Sequence, residues 1–84
     1  MMPLSNVKTG SKVRIVGCKA GKNLERRLEV LGCIPGEIIR VSLNDGHSPL
    51  IINVKGADVM LGRGMCGKIF VELPETDEKD RAAV

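Results

Sequence analysis

With 84 residues and a single aromatic, Phe70, the chain supports one small hydrophobic core and has no room for a catalytic cleft between two lobes. The lack of Trp and Tyr removes the usual platforms for stacking bases or sugars, which argues against recognition of single-stranded nucleic acid. The formal charge of +3 is uneven: Glu75, Asp77, Glu78 and Asp80 against Lys79 and Arg81 give residues 75–81 a net −2, leaving +5 on residues 1–73. A basic body suits an acidic partner, a phosphate or an anionic membrane surface, or serves solubility alone.

In chain order, Leu4 to Gly10 reads as a lead-in segment and turn ending at Thr9-Gly10-Ser11. Lys12-Val13-Arg14-Ile15-Val16 alternates charged and β-branched residues, the pattern of a half-buried strand, and Gly17 is expected to close it. The period then changes. Leu24, Leu28 and Leu31 fall at i, i+4 and i+7, predicting a helix of about nine residues from Asn23, too short to persist without tertiary packing. Asn23 is expected to cap it, Glu25 to suit its positive end and Gly32 to stop it in a left-handed conformation.

Pro35-Gly36 makes a turn, after which the pattern is β. Ile39, Val41 and Leu43 alternate, and Asn44-Asp45-Gly46 is a hairpin signal. In the next run Leu50, Ile52 and Val54 share one face, and Gly56 breaks it. Val59 and Leu61 form a short strand before Gly62-Arg63-Gly64; Ile69, Val71 and Leu73 form a last one from Lys68, and Pro74 ends the fold. The expected architecture is mainly β, a small barrel of about five short strands with one helix inserted after the first, over residues 1–74. Residues 75–84 are expected to form a charged tail.

Candidates for chemistry are few. His47 is the lone histidine, in the Asp45-Gly46-His47-Ser48 turn; a catalytic role would need a nucleophile and an orienting acid beside it, and an ordinary solvated turn residue is the favoured reading. Cys18, Cys33, Cys66 and His47 are the right ligand types for zinc or iron, but they are scattered where structural sites use close pairs, so no specific metal site is assigned. Three cysteines without a C-x-x-C motif fit a reducing compartment. The start Met1-Met2-Pro3 has no secretory pattern and no apolar run approaches the ~20 residues of a membrane span, so a cytoplasmic protein that meets a membrane only through a partner is expected. No glycine-rich cradle ending in Lys-Ser or Lys-Thr occurs, which excludes nucleotide binding of the P-loop kind. Lys19, Lys22, Arg26 and Arg27 form the densest positive patch, read either as a solvated helix face or as a partner-binding surface for acidic residues.

Several segments together resemble the FeoA family. They are Leu4-Ser5-Asn6-Val7-Lys8-Thr9-Gly10, the Leu24-Glu25-Arg26-Arg27-Leu28 helix, the Leu31-Gly32-Cys33-Ile34-Pro35-Gly36 turn, and Val59-Met60-Leu61-Gly62 through Lys68-Ile69-Phe70-Val71. The most specific piece is Arg-Leu-x-x-Leu-Gly-x-x-Pro-Gly, from Arg27 to Gly36. The resemblance implies an SH3-like barrel that assists FeoB, the membrane ferrous-iron transporter with a GTPase domain, and so serves iron homeostasis. It also implies an association with transition-metal binding, here expected to be weak if present, with no resident cofactor. The same module resembles the C-terminal domain of iron- and manganese-dependent repressors, but without a winged-helix region DNA binding by this chain is not expected. Cys33 and Cys66 depart from the family pattern, where apolar or small residues are commoner.

The reading drawn from the sequence is a non-enzymatic adaptor for a FeoB-type transporter, acting by protein–protein interaction through Lys19, Lys22, Arg26 and Arg27, with self-association left open. The rivals are a small transition-metal carrier or sensor and, behind it, an RNA-binding SH3-like module. The lack of stacking residues and of a continuous basic stripe counts against the last.

Overall fold

Alternation of apolar and polar residues at period two lays down most of this molecule, and each run becomes an antiparallel strand with most of its apolar residues turned inward. The structure is a computed structural model and describes residues 1–19 and 21–74. In chain order the elements are β1 (Met2–Pro3), a 3-10 turn (Leu4–Asn6), β2 (Lys12–Cys18), α1 (Gly21–Leu31), β3 (Ile38–Leu43), β4 (Leu50–Val54), β5 (Ala57–Leu61), α2 (Arg63–Cys66) and β6 (Ile69–Glu72). Six strands form one antiparallel sheet in the order β1-β6-β2-β3-β4-β5. The sheet wraps around Val13 and Ile15 of β2, Ile39 and Val41 of β3, Leu50 and Ile52 of β4, and Ile69 and Val71 of β6, all buried.

Every expected strand forms and one more appears, but the last ends at Glu72 and leaves Leu73 exposed, and a register shift after Val41 turns Leu43 out of the core. β1 is only two residues long and pairs Met2 with Val71 and Pro3 with Phe70; a run this short carries no readable period. Gly17 does not close β2. The register against β6 shifts between Ile15 and Gly17, and the strand continues to Cys18, because a glycine without Cβ accommodates the bulge. Residues 63–66, expected as part of a glycine break, form the single turn α2, which buries Cys66.

α1 begins at Gly21, two residues before the expected cap, so Asn23 lies within its first turn and Glu25 lies beyond it. Gly21 has a φ of +72°, a conformation glycine reaches without a Cβ clash, and the chain enters the helix through it. Of the expected apolar stripe only Leu28 is buried; Leu24 packs partly against the core and Leu31 is 37% exposed. The helix stops as expected at Gly32, with a φ of +88° and hydrogen bonds from Gly32 N to Glu29 O at 3.0 Å and Cys33 N to Leu28 O at 2.8 Å. The following turn is fastened to β2 by Gly36 N donating to Ile15 O at 2.7 Å and Ile15 N to Glu37 O at 2.9 Å.

The β4–β5 hairpin closes on two residues, since Val54 pairs with Ala57. Lys55 and Gly56 both have positive φ, 52° and 86°, as a mirror-image type I′ turn requires. The charged residues from 75 onward lie outside the described residues.

Candidate functional site

Because α1 is anchored chiefly through Leu28, its flank stands off the barrel and leaves a cleft of about 280 Å³. β2 contributes Ile15, Gly17 and Cys18, β6 contributes Ile69, and the turn after the helix contributes Cys33, Ile34 and Pro35. Leu28, Glu25 and Glu29 of α1 form the other wall. The lining is largely apolar, with Ile34 41% exposed at its edge, while the two carboxylates stand one helical turn apart along the helix side. A space of this size lies just under the roughly 300–1,000 Å³ of small-molecule pockets. It has room for one or two inserted side chains.

The basic residues divide between two settings. Lys19 follows β2 and places its ammonium 5.6 Å from the centroid of the Phe70 ring, a cation–π contact on the β2–β6 surface. Lys22, Arg26 and Arg27 are exposed on α1, Lys22 and Arg26 one turn apart. The first turn of α1 holds no acidic residue and its last turn no basic one. Lys22 sits near the positive end of the helix and Glu29 near the negative end, the reverse of what the helix dipole favours.

The cysteines occupy three environments. Cys18 is half-buried in the cleft; Cys33 and Cys66 are core residues, 4% and 0% exposed. Burial raises the Cys33 thiol, and the nearby Glu37 carboxylate adds to the shift. Burial pushes Cys66 up to about 11 against a partial opposing pull from Arg63, and its Sγ donates to Leu61 O at 3.9 Å. Burial thus favours the neutral thiol in both, the less nucleophilic form. His47 sits far along the chain on the exposed β3–β4 turn, and among the described residues no three His, Cys, Asp or Glu side chains gather closely enough to hold a metal. Asp45 accepts from the backbone N–H groups of His47 at 2.8 Å and Ser48 at 2.7 Å, which lowers its carboxyl to about 2. Its carboxylate shapes the turn, with its hydrogen bonds spent on the backbone.

At the base of this turn, Asn44 and Arg63 build a polar knot that holds three segments together. Asn44 Nδ2 donates to Ser5 O at 3.0 Å and Val7 O at 2.7 Å, and its Oδ1 accepts from Gly46 N at 3.1 Å and Arg63 Nη1 at 2.9 Å. Arg63 also reaches Ser48 O at 3.1 Å and Ser5 O at 3.3 Å. Sequence reading saw Asn44 only as a hairpin residue and Arg63 only as part of a glycine break. No local pattern announces a partner 37 or 58 residues away. Glu25 and Glu29 were missed as cleft residues, although Glu29, set against the helix dipole near the helix end, was visible in the sequence.

Fold and cleft together define a small SH3-like β domain with an open, mostly apolar groove under an exposed charged helix. A family model, the FeoA domain, matches residues 2–73, and the chain belongs to that family. A Methanocaldococcus jannaschii protein named for Fe(2+) transport, transport protein A, is 36% identical over 72 residues, covering 86% of this chain and 87% of the relative. The crystal structure of an iron uptake regulatory protein, FeoA, superposes with a TM-score of 0.80 at 32% identity, over 84% of this chain and 95% of that one. The FeoA of Stenotrophomonas maltophilia in complex with zinc shares the fold, with a TM-score of 0.74 at 23% identity over 86% of this chain and 91% of that one. That protein is described as a prokaryotic SH3 domain protein, with a suggested role as a ferrous iron transport activating factor.

Proposed function

We propose that this chain is a non-enzymatic accessory protein of ferrous-iron uptake that binds the cytoplasmic face of a FeoB-type transporter. The observation that carries the proposal is the open cleft beside α1: an apolar channel next to an exposed, charged helix is equipped to receive part of another protein. Family membership over residues 2–73 supplies the iron-transport context, and the relatives named for iron transport and for its regulation agree with it. The Stenotrophomonas protein's suggested role as an activating factor for transport supports the same direction. Among the described residues no helix is long and apolar enough to cross a membrane, so contact with the bilayer is assigned to the transporter. Lys22, Arg26 and Arg27 present three exposed cations on one helix, which favours encounter with an acidic surface.

The test is binding of the full chain to the purified cognate transporter in nanodiscs, with and without ferrous iron. Saturable binding is expected, with the Arg26→Glu/Arg27→Glu variant associating several-fold more slowly at low salt and the difference shrinking as salt is raised. Absence of binding to a folded, transport-active partner would remove this function.

A further inference from the structure

We infer that the cleft between α1 and the barrel is a peptide-docking site selective for a basic-apolar segment, in which a Lys or Arg lies beside one or two aliphatic or proline side chains. The inference deepens the accessory reading by naming the chemistry of the partner's inserted segment, and it can fail separately from it.

Two independent features define the occupant. The first is shape and polarity: Ile15, Leu28, Ile34, Pro35 and Ile69 line a cleft of about 280 Å³, a size for a pair of aliphatic side chains rather than a folded domain. The second is charge. Glu25 and Glu29 both line the same cleft, four residues apart and therefore stacked along one side of the helix. Among the described residues the salt bridges are Arg14–Glu72 and Lys55–Glu37, so neither cleft carboxylate is paired within the described part of the chain. The rest of α1 repels cations, because Lys22, Arg26 and Arg27 are exposed around it. An approaching peptide thus meets a cation-attracting strip inside the cleft and cation-repelling ground outside it, which selects both the sign of its charge and where that charge is seated.

Helix stability does not account for this arrangement. Glu29 lies in the last turn, where the exposed carbonyls make a negative charge unfavourable, and Lys22 lies in the first, where a positive charge is unfavourable. A carboxylate at the cleft's edge gains its favourable partner only when a cation is brought in. The basic patch and the cleft then divide the labour, with the outward cations steering the helix to an acidic surface and the cleft accepting a cationic segment beside it.

A phage-displayed library of randomised nine-residue peptides, selected against the immobilised full chain, tests this without the transporter. The expected consensus carries a Lys or Arg adjacent to Leu, Ile or Pro, and a synthetic peptide of that sequence shifts the methyl resonances of Ile34 and Ile69. Glu25→Lys/Glu29→Lys weakens that peptide about tenfold, Glu25→Gln/Glu29→Gln weakens it less, and Arg26→Glu leaves it unchanged or slightly tighter. Both carboxylates are exposed, so the variants retain the fold, with circular dichroism and thermal midpoint as the check. Selection of no peptide, of acidic or uncharged peptides, or of peptides indifferent to Glu25 and Glu29 overturns the inference. Transporter binding that persists alongside such a result leaves the accessory function standing. Basic-apolar peptides without transporter binding leave the docking site standing and remove the function.

Discussion

Replacing Asn44 by alanine tests whether the polar knot, as well as the apolar core, closes the barrel. The side chain makes four hydrogen bonds, to Ser5 O, Val7 O, Gly46 N and Arg63 Nη1, and so ties the N-terminal turn and α2 to the β3–β4 hairpin. Each bond contributes about 1 kcal/mol net, with more lost when a partner is left without water. Asn44 is only half-buried, so solvent recovers part of the deficit, and the expected loss is about 2–3 kcal/mol. A domain this small has on the order of 5–10 kcal/mol in total, so the thermal midpoint should fall by about 10–20 °C. Urea denaturation of wild type and Asn44→Ala, followed by circular dichroism with m-values compared, measures it directly. Asn44→Asp sharpens the test: it keeps the acceptor for Arg63 and Gly46 but sets a carboxylate against two carbonyls. It should be as damaging as alanine at neutral pH and recover partly once the acid is protonated. A loss below about 1 kcal/mol in Asn44→Ala would show that the knot is incidental to stability.

Two further outcomes follow from the fold. Gly32→Ala places a Cβ at a φ of +88° and 3.2 Å from Val54 Cγ1, so a loss of about 1–3 kcal/mol is expected from chemical denaturation, and a change under about 0.5 kcal/mol would refute the close approach of helix end and barrel. The Cys66 thiol, raised to about 11 in the fold, stabilises the native state fully below the ordinary thiol range and loses that contribution as pH rises from about 9 through 11. Denaturation midpoints between pH 7 and 11 should therefore fall more steeply in wild type than in Cys66→Ala, and parallel slopes would refute the assignment.

Strands and hairpins were legible where burial is one-sided. Leu50, Ile52 and Val54 alternate in sequence and are buried in the structure, as are Ile39 and Val41 before them. The small barrel, the helix after the first expected strand and the glycine stop at Gly32 follow from such local patterns, while the SH3-like assignment came from the family resemblance. Signals failed where tertiary contact outweighed local preference. β1 exists only because β6 offers Phe70 and Val71 as partners, and Gly17 reads as a stop yet serves as a bulge. The glycines at 62 and 64 hid α2, whose purpose is to bring Arg63 to Asn44 and Cys66 into the core. At the β4–β5 turn the sequence shows Lys55-Gly56 where Asn-Gly would have declared a hairpin, and two positive φ values are tolerated all the same.

The same distinction separates the two charged surfaces of α1. A run such as Lys22, Arg26 and Arg27 is conspicuous in one dimension, because charge of one sign accumulates in a short stretch. The Glu25–Glu29 pair is not, since the cations are interleaved with it in sequence, and only winding the chain into a helix against the barrel brings the two carboxylates to one cleft. Helix propensity and capping would be better served by reversing these charges, with Glu near Gly21 and Lys near Leu31. α1 also buries just one residue fully, leaving Val30 87% and Leu31 37% exposed. A helix that buries so little and sets its charges against its own dipole contributes less to the fold than its sequence allows. That cost falls on the element that lines the cleft and presents the cations, where contact with a second protein would offset it.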